Sequence, residues 1–569
     1  MSVAFPQQQA SGYARAVTRG MGGLRGRWPL SQELLALLVA LYFSIAANAT
    51  FFRVVGGTGA FAGFRGLGFG FGLFVAITAL NTFLLLVLLN RRWAKPLIVV
   101  LLLVTSCAGY YMSRYTVYLD PDMIRNVLHT DSKESRELVS WGMLPTVLLL
   151  GVLPAAALWL VELKRYPARL AFARRGLAIA ASLLVAAGAV LSMYQPMASL
   201  MRNHHEVRYL IMPGNYLVSM ASVLKGAGNP GPRIAVGLQA KVVGRPPNAK
   251  PRLVVLVVGE TVRAQNWGLD GYSRQTTPQL AAIDGLINFS DVTACGSSTE
   301  VSVPCMFSPY GRSHYDADKI KRSQGLLHVL DHAGINTLWR DNQTGCKGTC
   351  EGLPFESVEH ATIAGACTRE GCLDEAMLHG LVERVAQAPG DMVVVLHQLG
   401  NHGPAYFSRY PQTLARFQPV CTSSDLGQCS GEQIVNAYDN AVLYTDEFLA
   451  RAIHLLAGMA SRDTALLYVS DHGESLGENG LFLHGIPYAI APSTQTKVPM
   501  VLWLSPGLIA SRGIDPACLA DEARQPASHD NLFHSVLGLL QVQTPERQPG
   551  LDLFAKCTGP GSGRNLEHG

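Results

Sequence analysis

The stretch LVVLVVGET, Leu253–Thr261, opens with six apolar residues and ends in a glycine, a glutamate and a threonine. A strand that is apolar on both faces is typical of a parallel sheet that helices cover on both sides. Four later stretches share this composition and are separated by helical patterns: Ile335–Arg340, Asp391–Gln398, Thr464–Ser470 and Lys497–Leu504. We therefore predict an α/β domain over residues 252–569, with a central, mostly parallel sheet.

The residues before this domain are far more apolar. The chain of 569 residues is 49% apolar and only 15% charged, whereas soluble proteins carry about a quarter charged residues. Five runs approach the roughly 20 residues that a membrane-spanning helix needs: Leu34–Phe52, Phe69–Leu89, Pro96–Met112, Trp141–Val161 and Gly176–Met193. A cleaved signal peptide is the alternative for the first run, but four more runs follow it. We predict a five-helix transmembrane domain at 31–194.

The basic residues predict the orientation of these helices. Four arginines precede the first run with no acid among them: Arg15, Arg19, Arg25 and Arg27. The loops after the second and fourth runs are also basic, whereas the loop at about 113–140 mixes acids with bases. Positive residues favour the cytoplasmic side. We therefore expect 1–30 to be a cytoplasmic extension, and 113–140 and everything after the fifth run to lie outside the cytoplasm.

Two further features follow from composition and charge. Residues 195–251 combine a helical, partly amphipathic stretch with a segment rich in glycine and proline, so we predict a bridging helix and a linker. The net charge is only +5, and the arginines cluster beside the apolar runs instead of forming a basic face. These observations argue against nucleic-acid binding.

Most of the eleven cysteines fall in close pairs after the fifth run. The pairs are Cys295/Cys305, Cys346/Cys350, Cys367/Cys372 and Cys421/Cys429. A location outside the cytoplasm favours disulfides. The alternative is a four-cysteine zinc site made by the second and third pairs. Whether Cys518 pairs with Cys557 cannot be read from spacing alone.

Polar side chains follow several predicted strands. Glu260 follows the first, Asp471 and His472 follow another, His402 lies in the turn HQLGNHGP and His484 lies in LFLHG. Ligand sites in such sheets lie beyond the carboxyl ends of the strands. Carboxylates and imidazoles are metal ligands, and zinc accepts mixed oxygen and nitrogen sets. An isolated Asp-His-Gly would be a capped turn, but together these residues predict a metal site.

A loop of hydroxyl residues completes the pattern. CGSSTEVSVPC, Cys295–Cys305, carries Ser297, Ser298 and Thr299 between two cysteines. A hydroxyl becomes a useful nucleophile when a base or a metal lowers its pKa. The loop and the metal site together predict phosphoryl-type transfer through a covalent enzyme intermediate. The residues alone do not choose among the three hydroxyls.

The segments VVGET, CGSST with SVPCMF, NHGP, SDHGE and LHG resemble the lipid A phosphoethanolamine transferases, including the mobile colistin-resistance enzymes, of the alkaline phosphatase–sulfatase superfamily. The resemblance covers nearly the whole chain. It implies that Thr299 is the nucleophile and that Glu260, Thr299, Asp471 and His472 bind Zn²⁺. His402 and His484 would bind the substrate phosphate or a second zinc, or donate a proton. The loop departs from the more usual CGTSTA at Ser297 and Glu300.

The resemblance also implies substrate contacts outside this cluster. Lys347 and Thr349, in GCKGTC, would face the phosphoethanolamine group. Asn126, Thr130 and Glu134 would contact the donor lipid, and their spacing of four predicts one helical face.

The function implied is transfer of phosphoethanolamine from phosphatidylethanolamine to a lipid A phosphate through a phosphoethanolamine–threonine intermediate. It would lower the negative charge of the cell surface and confer resistance to polymyxins such as colistin. The protein would be a monomer in the bacterial inner membrane, with residues 252–569 as a periplasmic catalytic domain. The alternatives are a transferase acting on core sugar or glucan, a metal-dependent phosphatase or sulfatase, and a non-catalytic membrane sensor. Against a sulfatase, the chain lacks a C-x-P-x-R nucleophile motif.

Overall fold

The computed structural model describes residues 28–130, 132–227, 233–246, 248–359, 361–368 and 371–559. These residues form two compact units. The first contains the described chain up to Ser113 together with Trp141–Val218, and the second contains Arg114–Ser140 together with the chain from Ser219 onward. Most of the expected extension at 1–30 lies outside the described residues. The loop at about 113–140, after the third apolar run, belongs almost entirely to the second unit, which also contains the predicted α/β domain.

The first unit is built from apolar helices. Four are long and apolar enough to cross a membrane: Gly63–Leu88, Ala94–Tyr115, Met143–Leu160 and Ala168–Ser192. A fifth span results if the helices Gln32–Ala47 and Ala49–Gly57, bent by 49°, are counted as one. The remaining helical segments of this unit are Tyr194–Asn203, His205–Leu210 and Gly214–Ala227, the last of which runs into the second unit. Leu177 and Leu184 are more than 70% exposed in the last span, as expected for a helix that faces lipid.

Two of these spans contain irregular turns. The first span changes to a π-helix at Phe43–Ala47, and the fourth does so at Leu148–Val152. The bend at Asn48 is stabilised by its buried side chain, whose Nδ2 donates to the carbonyls of Phe43 and Met212 at 2.9 and 2.8 Å. The Asn48 side-chain oxygen accepts from the Met212 amide at 2.9 Å. A polar side chain therefore replaces the backbone hydrogen bonds that the helix loses at this bend.

The second unit contains a sheet of eight strands. In chain order they are β1 (Arg252–Gly259), β2 (Ile287–Thr293), β3 (Asn336–Asp341), β4 (Phe355–Ser357), β5 (Met392–His397), β6 (Asp463–Ser470), β7 (Lys497–Leu504) and β8 (Ala527–Ser528). Their order across the sheet is β8-β2-β7-β6-β1-β5-β3-β4. Only β7 runs antiparallel to its neighbours, so the predicted mostly parallel sheet is confirmed.

Helices and short ladders surround this sheet. The α-helices of the second unit are Pro121–His129, Ser132–Leu138, Pro278–Ala281, Thr299–Met306, Ala317–Arg322, Leu326–His332, Leu381–Ala386, Gly431–Ala457, Ser493–Thr496, Pro506–Arg512, Pro516–Glu522 and Asp530–Leu539. Two-residue strands pair as Lys241–Val242 with Val542–Gln543, Cys367–Thr368 with Gly371–Cys372, and Ser475–Leu476 with Phe482–Leu483; in the first unit Trp28–Leu30 pairs with Val161–Leu163.

The apolar strands form the core of this unit. Every residue of β1, β5 and β6 is buried. Alternate side chains of β1, such as Val254 and Leu256, pack with Leu326 and Phe533 in one cluster. The long helix Gly431–Ala457 packs against β6. Burying both faces of the central strands removes their apolar surface from water, which stabilises the domain.

The cysteines of this unit form five disulfides. Four are the predicted close pairs, which are confirmed: Cys295–Cys305, Cys346–Cys350, Cys367–Cys372 and Cys421–Cys429. The fifth joins Cys518 to Cys557, the pairing that spacing alone left open. Because the second and third pairs are each bonded internally, the alternative of a four-cysteine zinc site is wrong. Among the described cysteines, Cys107 alone is free.

The fourth disulfide lies at the start of the long helix Gly431–Ala457. Cys429 comes directly before Ser430, the N-cap of Gly431–Ala457, and bonds to Cys421. The Cys421 amide donates to the carbonyl of Gln433, in the first turn of that helix, at 3.0 Å. Cys421 is buried, whereas Cys429 is only partly buried, and neither belongs to a group of described residues that could hold a metal. This disulfide and the Cys421 hydrogen bond therefore hold the preceding segment against the start of the long helix.

Candidate metal centre and nucleophile

The predicted ligands meet at the carboxyl edge of the sheet. β1 and β6 are parallel neighbours in which Gly259 is opposite Ser470, so Glu260 and Asp471 leave the sheet side by side. One ligand atom each from Glu260, Asp471 and His472 lies within 4.8 Å of the other two. All three side chains are fully buried. Residues more than 200 positions apart therefore share one site because their strands are adjacent.

His472 is oriented by its own turn. Its Nδ1 lies 2.9 Å from the carbonyl of Gly473. Because a carbonyl can only accept, Nδ1 carries the hydrogen and Nε2 keeps its lone pair. Nε2 lies 3.4 Å from Asp471 Oδ2 and 3.5 Å from Glu260 Oε1. Burial holds the pKa of His472 well below its usual value, so the ring is neutral. This is the tautomer that binds a metal, and the contact to the carbonyl is the usual support for such a ligand.

Asp471 supplies the observation that tests the fit of a metal. Its Oδ1 accepts from the amides of Thr261 and His472 at 3.2 and 2.7 Å. Its Oδ2 is buried and accepts no hydrogen bond from the described residues. Burial raises the pKa of Asp471, because a buried carboxylate without a compensating positive charge is unfavourable. A divalent cation would compensate both carboxylates and the uncompensated oxygen, so the residues present fit a metal ion.

Thr299 is the hydroxyl that reaches this cluster. It is the first residue of the helix Thr299–Met306, and its Oγ1 lies 3.0 Å from Glu260 Oε2 and 3.3 Å from His472 Nε2. Ser297 instead donates to the carbonyl of Ile486 at 2.6 Å. The geometry therefore distinguishes hydroxyls that the sequence alone did not.

The hydroxyl loop is fixed by contacts that the sequence analysis missed. The Cys295 amide donates to Nδ1 of His529 at 3.0 Å, and Nε2 of the same ring donates to the carbonyl of Ser470 at 2.9 Å. His529 thus ties the loop to the end of β6, directly before the ligand pair. Burial lowers the pKa of His529 to about 4, so the ring is neutral at pH 7. The Cys295–Cys305 disulfide closes the loop from its other side.

Glu260 is also held by residues that the sequence analysis missed. Gln343, two residues after β3, donates from Nε2 to Glu260 Oε2 at 2.8 Å. Thr261 has a φ of 54°, and Tyr438 donates to its carbonyl at 2.6 Å. Gly400 has a φ of 50°, and a Cβ there would lie 2.8 Å from the Glu260 carbonyl oxygen. The backbone beside Glu260 is therefore held in an uncommon conformation, which is a frequent property of functional sites.

Both predicted accessory histidines lie beside the cluster. The His484 ring centroid is 4.4 Å from that of His472 and 5.9 Å from that of His402. His484 Nδ1 lies 2.9 Å from Oε2 of Glu474, whose Oε1 accepts from Tyr406 at 2.8 Å. Burial holds the pKa of His402 well below its usual value. Glu474 therefore orients His484. One ligand atom each from His472, Glu474 and His484 lies within 4.8 Å of the other two, so these residues form a second group that could hold a metal ion.

Lys347 and Thr349, the predicted substrate contacts in the loop GCKGTC, have different surroundings. Lys347 has a φ of 49° and donates to Thr344 Oγ1 at 2.5 Å. Its charge contributes, after burial, to lowering the pKa of His402. Thr349 is buried, and its hydroxyl donates to the carbonyl of Cys346 at 2.6 Å within the disulfide-closed turn. Lys347 is thus electrostatically linked to the cluster, whereas the Thr349 hydroxyl proton is used by the turn.

The prediction that Asn126, Thr130 and Glu134 share one helical face is wrong. The helix ends at His129, because Thr130 has an extended backbone with ψ of 127° and donates from Oγ1 to the Asn126 carbonyl at 2.8 Å. A separate helix begins at Ser132. The side chain of Glu134 lies outside what the structure describes. The hydroxyl that caps the first helix thus breaks the face that the spacing suggested.

Glu300 connects the helix Thr299–Met306, which carries the predicted nucleophile, to the helix that ends at His129. Its side chain is 6% exposed, with Oε1 2.6 Å from Lys321 Nζ and Oε2 3.1 Å from His129 Nδ1. The unusual acid beside Thr299 therefore joins three helices by charge-assisted contacts.

Comparisons with known proteins find relatives for both parts of the chain. A sulfatase family model matches residues 252–542, and a model described as phosphoethanolamine transferase EptA/EptB matches residues 77–227. The chain is 38% identical to phosphoethanolamine transferase EptA of Escherichia coli K12, over 93% of this chain and 97% of that protein. It is 40% identical to phosphatidylethanolamine transferase Mcr-1 of Escherichia coli, over 91% and 96% of the two chains.

A solved structure extends the likeness to the whole molecule. The integral membrane lipooligosaccharide phosphoethanolamine transferase A of Neisseria meningitidis is 37% identical, and the match covers 94% of this chain and all of that one with a TM-score of 0.89. The matches thus include both the apolar helices and the sulfatase-like sheet. The chain therefore belongs to the phosphoethanolamine transferase family and is an integral membrane transferase with a sulfatase-type domain.

Proposed function

We propose that this enzyme transfers phosphoethanolamine from phosphatidylethanolamine to a phosphate of lipid A, through a covalent intermediate on Thr299. One observation carries the proposal: Thr299 Oγ1 lies within 3.3 Å of both Glu260 and His472, at the edge of a buried group of atoms that could hold a metal ion. A hydroxyl in such surroundings is placed for nucleophilic attack. The names of the relatives indicate the headgroup that is transferred.

The residues that would hold the metal are Glu260, Thr299, Asp471 and His472, and we propose that the ion is Zn²⁺. Bound there, it would lower the pKa of the Thr299 hydroxyl and withdraw charge from a phosphoryl oxygen. His402 and His484 would bind the substrate phosphate. A second zinc held by these two histidines is the alternative assignment.

In the first step Thr299 Oγ1 attacks the phosphorus of phosphatidylethanolamine. A phosphorus–oxygen bond to Thr299 forms, and the bond from phosphorus to the diacylglycerol oxygen breaks. Thr299 gives its proton to Glu260 Oε2, the oxygen that accepts its hydrogen bond, as the hydroxyl oxygen attacks. His484, which Glu474 orients through Nδ1, gives a proton to the oxygen of the departing diacylglycerol.

In the second step an oxygen of the lipid A phosphate attacks the same phosphorus. The new phosphorus–oxygen bond forms on the acceptor, whose phosphate proton passes to His484. The bond to Thr299 breaks, and Glu260 returns the proton that regenerates the threonine hydroxyl. Lys347 is positioned to offset negative charge near the histidine pair, because its own charge already acts on His402. Asn126 and Glu134 would contact the donor lipid. Thr130 and Thr349 already donate to backbone carbonyls, so only their lone pairs would remain for substrate.

The membrane helices would keep both lipid substrates close to the site. We propose five spans in the bacterial inner membrane, a cytoplasmic N-terminus, a periplasmic domain at 252–569 and a monomeric enzyme. Holding the site at the surface where its substrates lie raises their effective concentration. Adding an amine to lipid A lowers its net negative charge, so cationic peptides such as polymyxins would bind the cell surface more weakly.

The deciding experiment is mass spectrometry of the purified enzyme after incubation with phosphatidylethanolamine alone. We expect phosphoethanolamine on Thr299 in the wild type, on the serine of Thr299→Ser, and on no residue of Thr299→Ala. Ser297→Ala is the matched control, because that hydroxyl donates to the carbonyl of Ile486 and should leave the adduct intact. Full headgroup transfer by Thr299→Ala would overturn the proposal.

The same preparations separate the alternatives. A phosphatase releases free phosphoethanolamine at the same rate with or without lipid A, whereas a transferase needs the acceptor for turnover. A non-catalytic sensor forms no adduct and keeps its function in Thr299→Ala. Mass spectrometry of lipopolysaccharide from producing cells distinguishes the lipid A phosphate from the core sugar.

A further inference from the structure

The first unit contains a polar cavity among its apolar helices. We call it the Arg53 cavity; it has a volume of about 230 Å³ and is lined by Arg53 and by hydroxyl-bearing residues from four helices, namely Tyr42, Thr50, Thr105, Ser106, Ser113 and Thr146. A cavity of this size is smaller than the roughly 300–1,000 Å³ of a drug-sized pocket. It suits a lipid headgroup better than a whole lipid.

Arg53 lies near the end of an apolar segment, and its side chain is exposed. No carboxylate of the described residues pairs with it, and no described residue that lines the cavity is an aspartate or a glutamate. Ionisable side chains are rare in membrane segments, and those present reach the headgroup region or mark a binding site. Among the described residues the cavity therefore carries one positive charge without an acidic partner, which suits a single negative charge.

The backbone around the cavity is irregular where it faces this space. Both π-helical turns contribute lining residues, Ala46 and Ala47 from one and Leu150 from the other. Tyr42 donates to the Leu150 carbonyl at 2.6 Å and so joins the two turns. π-Helical turns are frequent at functional sites, and irregular backbone at membrane depth is found where it lines a cavity.

The position of Arg53 along its helix indicates headgroup depth. Twenty-one residues separate it from Gln32, where the first helix begins. At 1.5 Å per residue they follow about 30 Å of helix axis, close to the thickness of the hydrocarbon core, although the 49° bend shortens the distance between their ends. Ser113 is similarly near the far end of Ala94–Tyr115. The basic Arg91, Arg92 and Lys95 lie at the opposite end of these helices. Arg53 and Ser113 thus lie toward the ends of their helices that are away from these basic residues.

The hydroxyls determine which headgroup would fit. Ser106 and Ser113 donate their protons to the carbonyls of Leu103 and Tyr110, at 2.8 and 3.0 Å. Their oxygens can therefore only accept, which suits a headgroup that carries hydroxyl donors. An ammonium group would be placed beside Arg53 with no carboxylate to offset the repulsion, and this repulsion is strong in a medium of low dielectric constant.

We propose that the Arg53 cavity binds an anionic phospholipid with a polyol headgroup, its phosphate on Arg53 and its hydroxyls on the serine and threonine oxygens. Phosphatidylglycerol is the simplest lipid of this chemistry. The cavity would thus hold a lipid that is not the proposed phosphoethanolamine donor. The inference rests on the first unit alone and does not depend on the proposed reaction.

Native mass spectrometry of the full-length protein in detergent would test this with phosphatidylglycerol, phosphatidylethanolamine and phosphatidylcholine of identical acyl chains. We expect preferential retention of phosphatidylglycerol and a loss of about fivefold in Arg53→Gln, the effect of one basic residue near a membrane surface. Arg53→Lys should keep most of the retention. Arg65→Gln is the matched control, since Arg65 lies in the first turn of the next helix, Gly63–Leu88, and does not line the cavity.

A second variant guards against misfolding. Ala46→Leu fills the cavity without removing a charge, and it should reduce phosphatidylglycerol retention while the thermal midpoint stays near that of the wild type. Equal retention of all three lipids would overturn the proposal. So would an Arg53→Gln variant that retains as much phosphatidylglycerol as Arg65→Gln does.

Discussion

Replacing Glu300 should weaken both the stability of the catalytic unit and its use of the donor lipid. Glu300 follows the proposed nucleophile, and its carboxylate contacts Lys321 at 2.6 Å and His129 at 3.1 Å. Burial raises the pKa of Glu300, but the two basic partners outweigh burial and hold the pKa below its usual value. The carboxylate is therefore charged at pH 7 and joins the nucleophile helix to the loop that carries Asn126.

The magnitude follows from the exposure of the partners. Hydrogen bonds to charged groups contribute about 1.5–3 kcal/mol when buried. Lys321 is 30% exposed and His129 is 57% exposed, so both can recover hydration, and the lower end of that range applies. We expect Glu300→Ala to lower the free energy of unfolding by about 2 kcal/mol, counting the lost contacts of its buried methylenes. Glu300→Gln keeps an acceptor for Lys321 and should cost about half as much.

The assay combines a double-mutant cycle with kinetics. Unfolding of the full chain in detergent is measured for Glu300→Ala, Lys321→Ala and the double variant, with an expected coupling of about 1 kcal/mol. The KM for a fluorescent phosphatidylethanolamine should rise in Glu300→Ala more than kcat falls. The variant releases the helix Pro121–His129, which carries the proposed donor contact Asn126, while Thr299 keeps its own contacts. A coupling within error of zero, with unchanged KM, would refute the reasoning.

Three further predictions concern other parts of the second unit. His529→Phe leaves the Cys295 amide and the Ser470 carbonyl without their buried partner. We expect it to lower the free energy of unfolding by about 2 kcal/mol or more, measured in thermal melts, and to lower turnover, measured as headgroup release. Wild-type turnover in this variant would mean that His529 does not position the hydroxyl loop. Burial raises the pKa of Asp446 to about 7, so this carboxyl keeps its proton in the folded protein at pH values where the unfolded chain, above about pH 4, has lost it. The free energy of unfolding should therefore fall by up to about 4 kcal/mol as the pH rises from 4 to 7. Melts of the wild type between pH 5 and pH 8 should show this fall, Asp446→Asn should flatten it, and equal pH dependence of the two proteins would contradict the assignment. A strong chelator should abolish transfer and lower the thermal midpoint, and Zn²⁺ should restore both; Asp471→Asn should lose this response, and activity that survives chelation would exclude the proposed metal.

The sheet shows which strands a sequence can reveal. The five predicted strands are present within about one residue at each end. Each is largely buried, and four of them, all except β3, consist mostly of apolar residues. The pattern missed β2, whose sequence INFSDVT is half polar, and the short β4 and β8. These three strands lie at or near the edges of the sheet, where burial is less complete and composition is a weaker guide.

The candidate site shows a similar division. Glu260, Asp471 and His472 were predicted because each directly follows an apolar strand, and parallel neighbours bring such residues together. His529 and Gln343 carried no such signal, since an isolated histidine or glutamine in a loop has the same local pattern whether it supports a ligand or faces water. The helix break at Thr130 was missed because a spacing of four describes a face only while the helix continues.

The sequence by itself determined the two kinds of module, the strand ends that carry the ligands and the close cysteine pairs, because each depends on residues near one another in the chain. Only the tertiary structure decided that Thr299 rather than Ser297 reaches the ligands, that Glu300 joins Lys321 to His129, and that an uncompensated Arg53 lines a polar cavity. Those choices depend on distances between segments that are remote in sequence. Such distances are set by how the buried surfaces of the strands and helices pack, which no local pattern records.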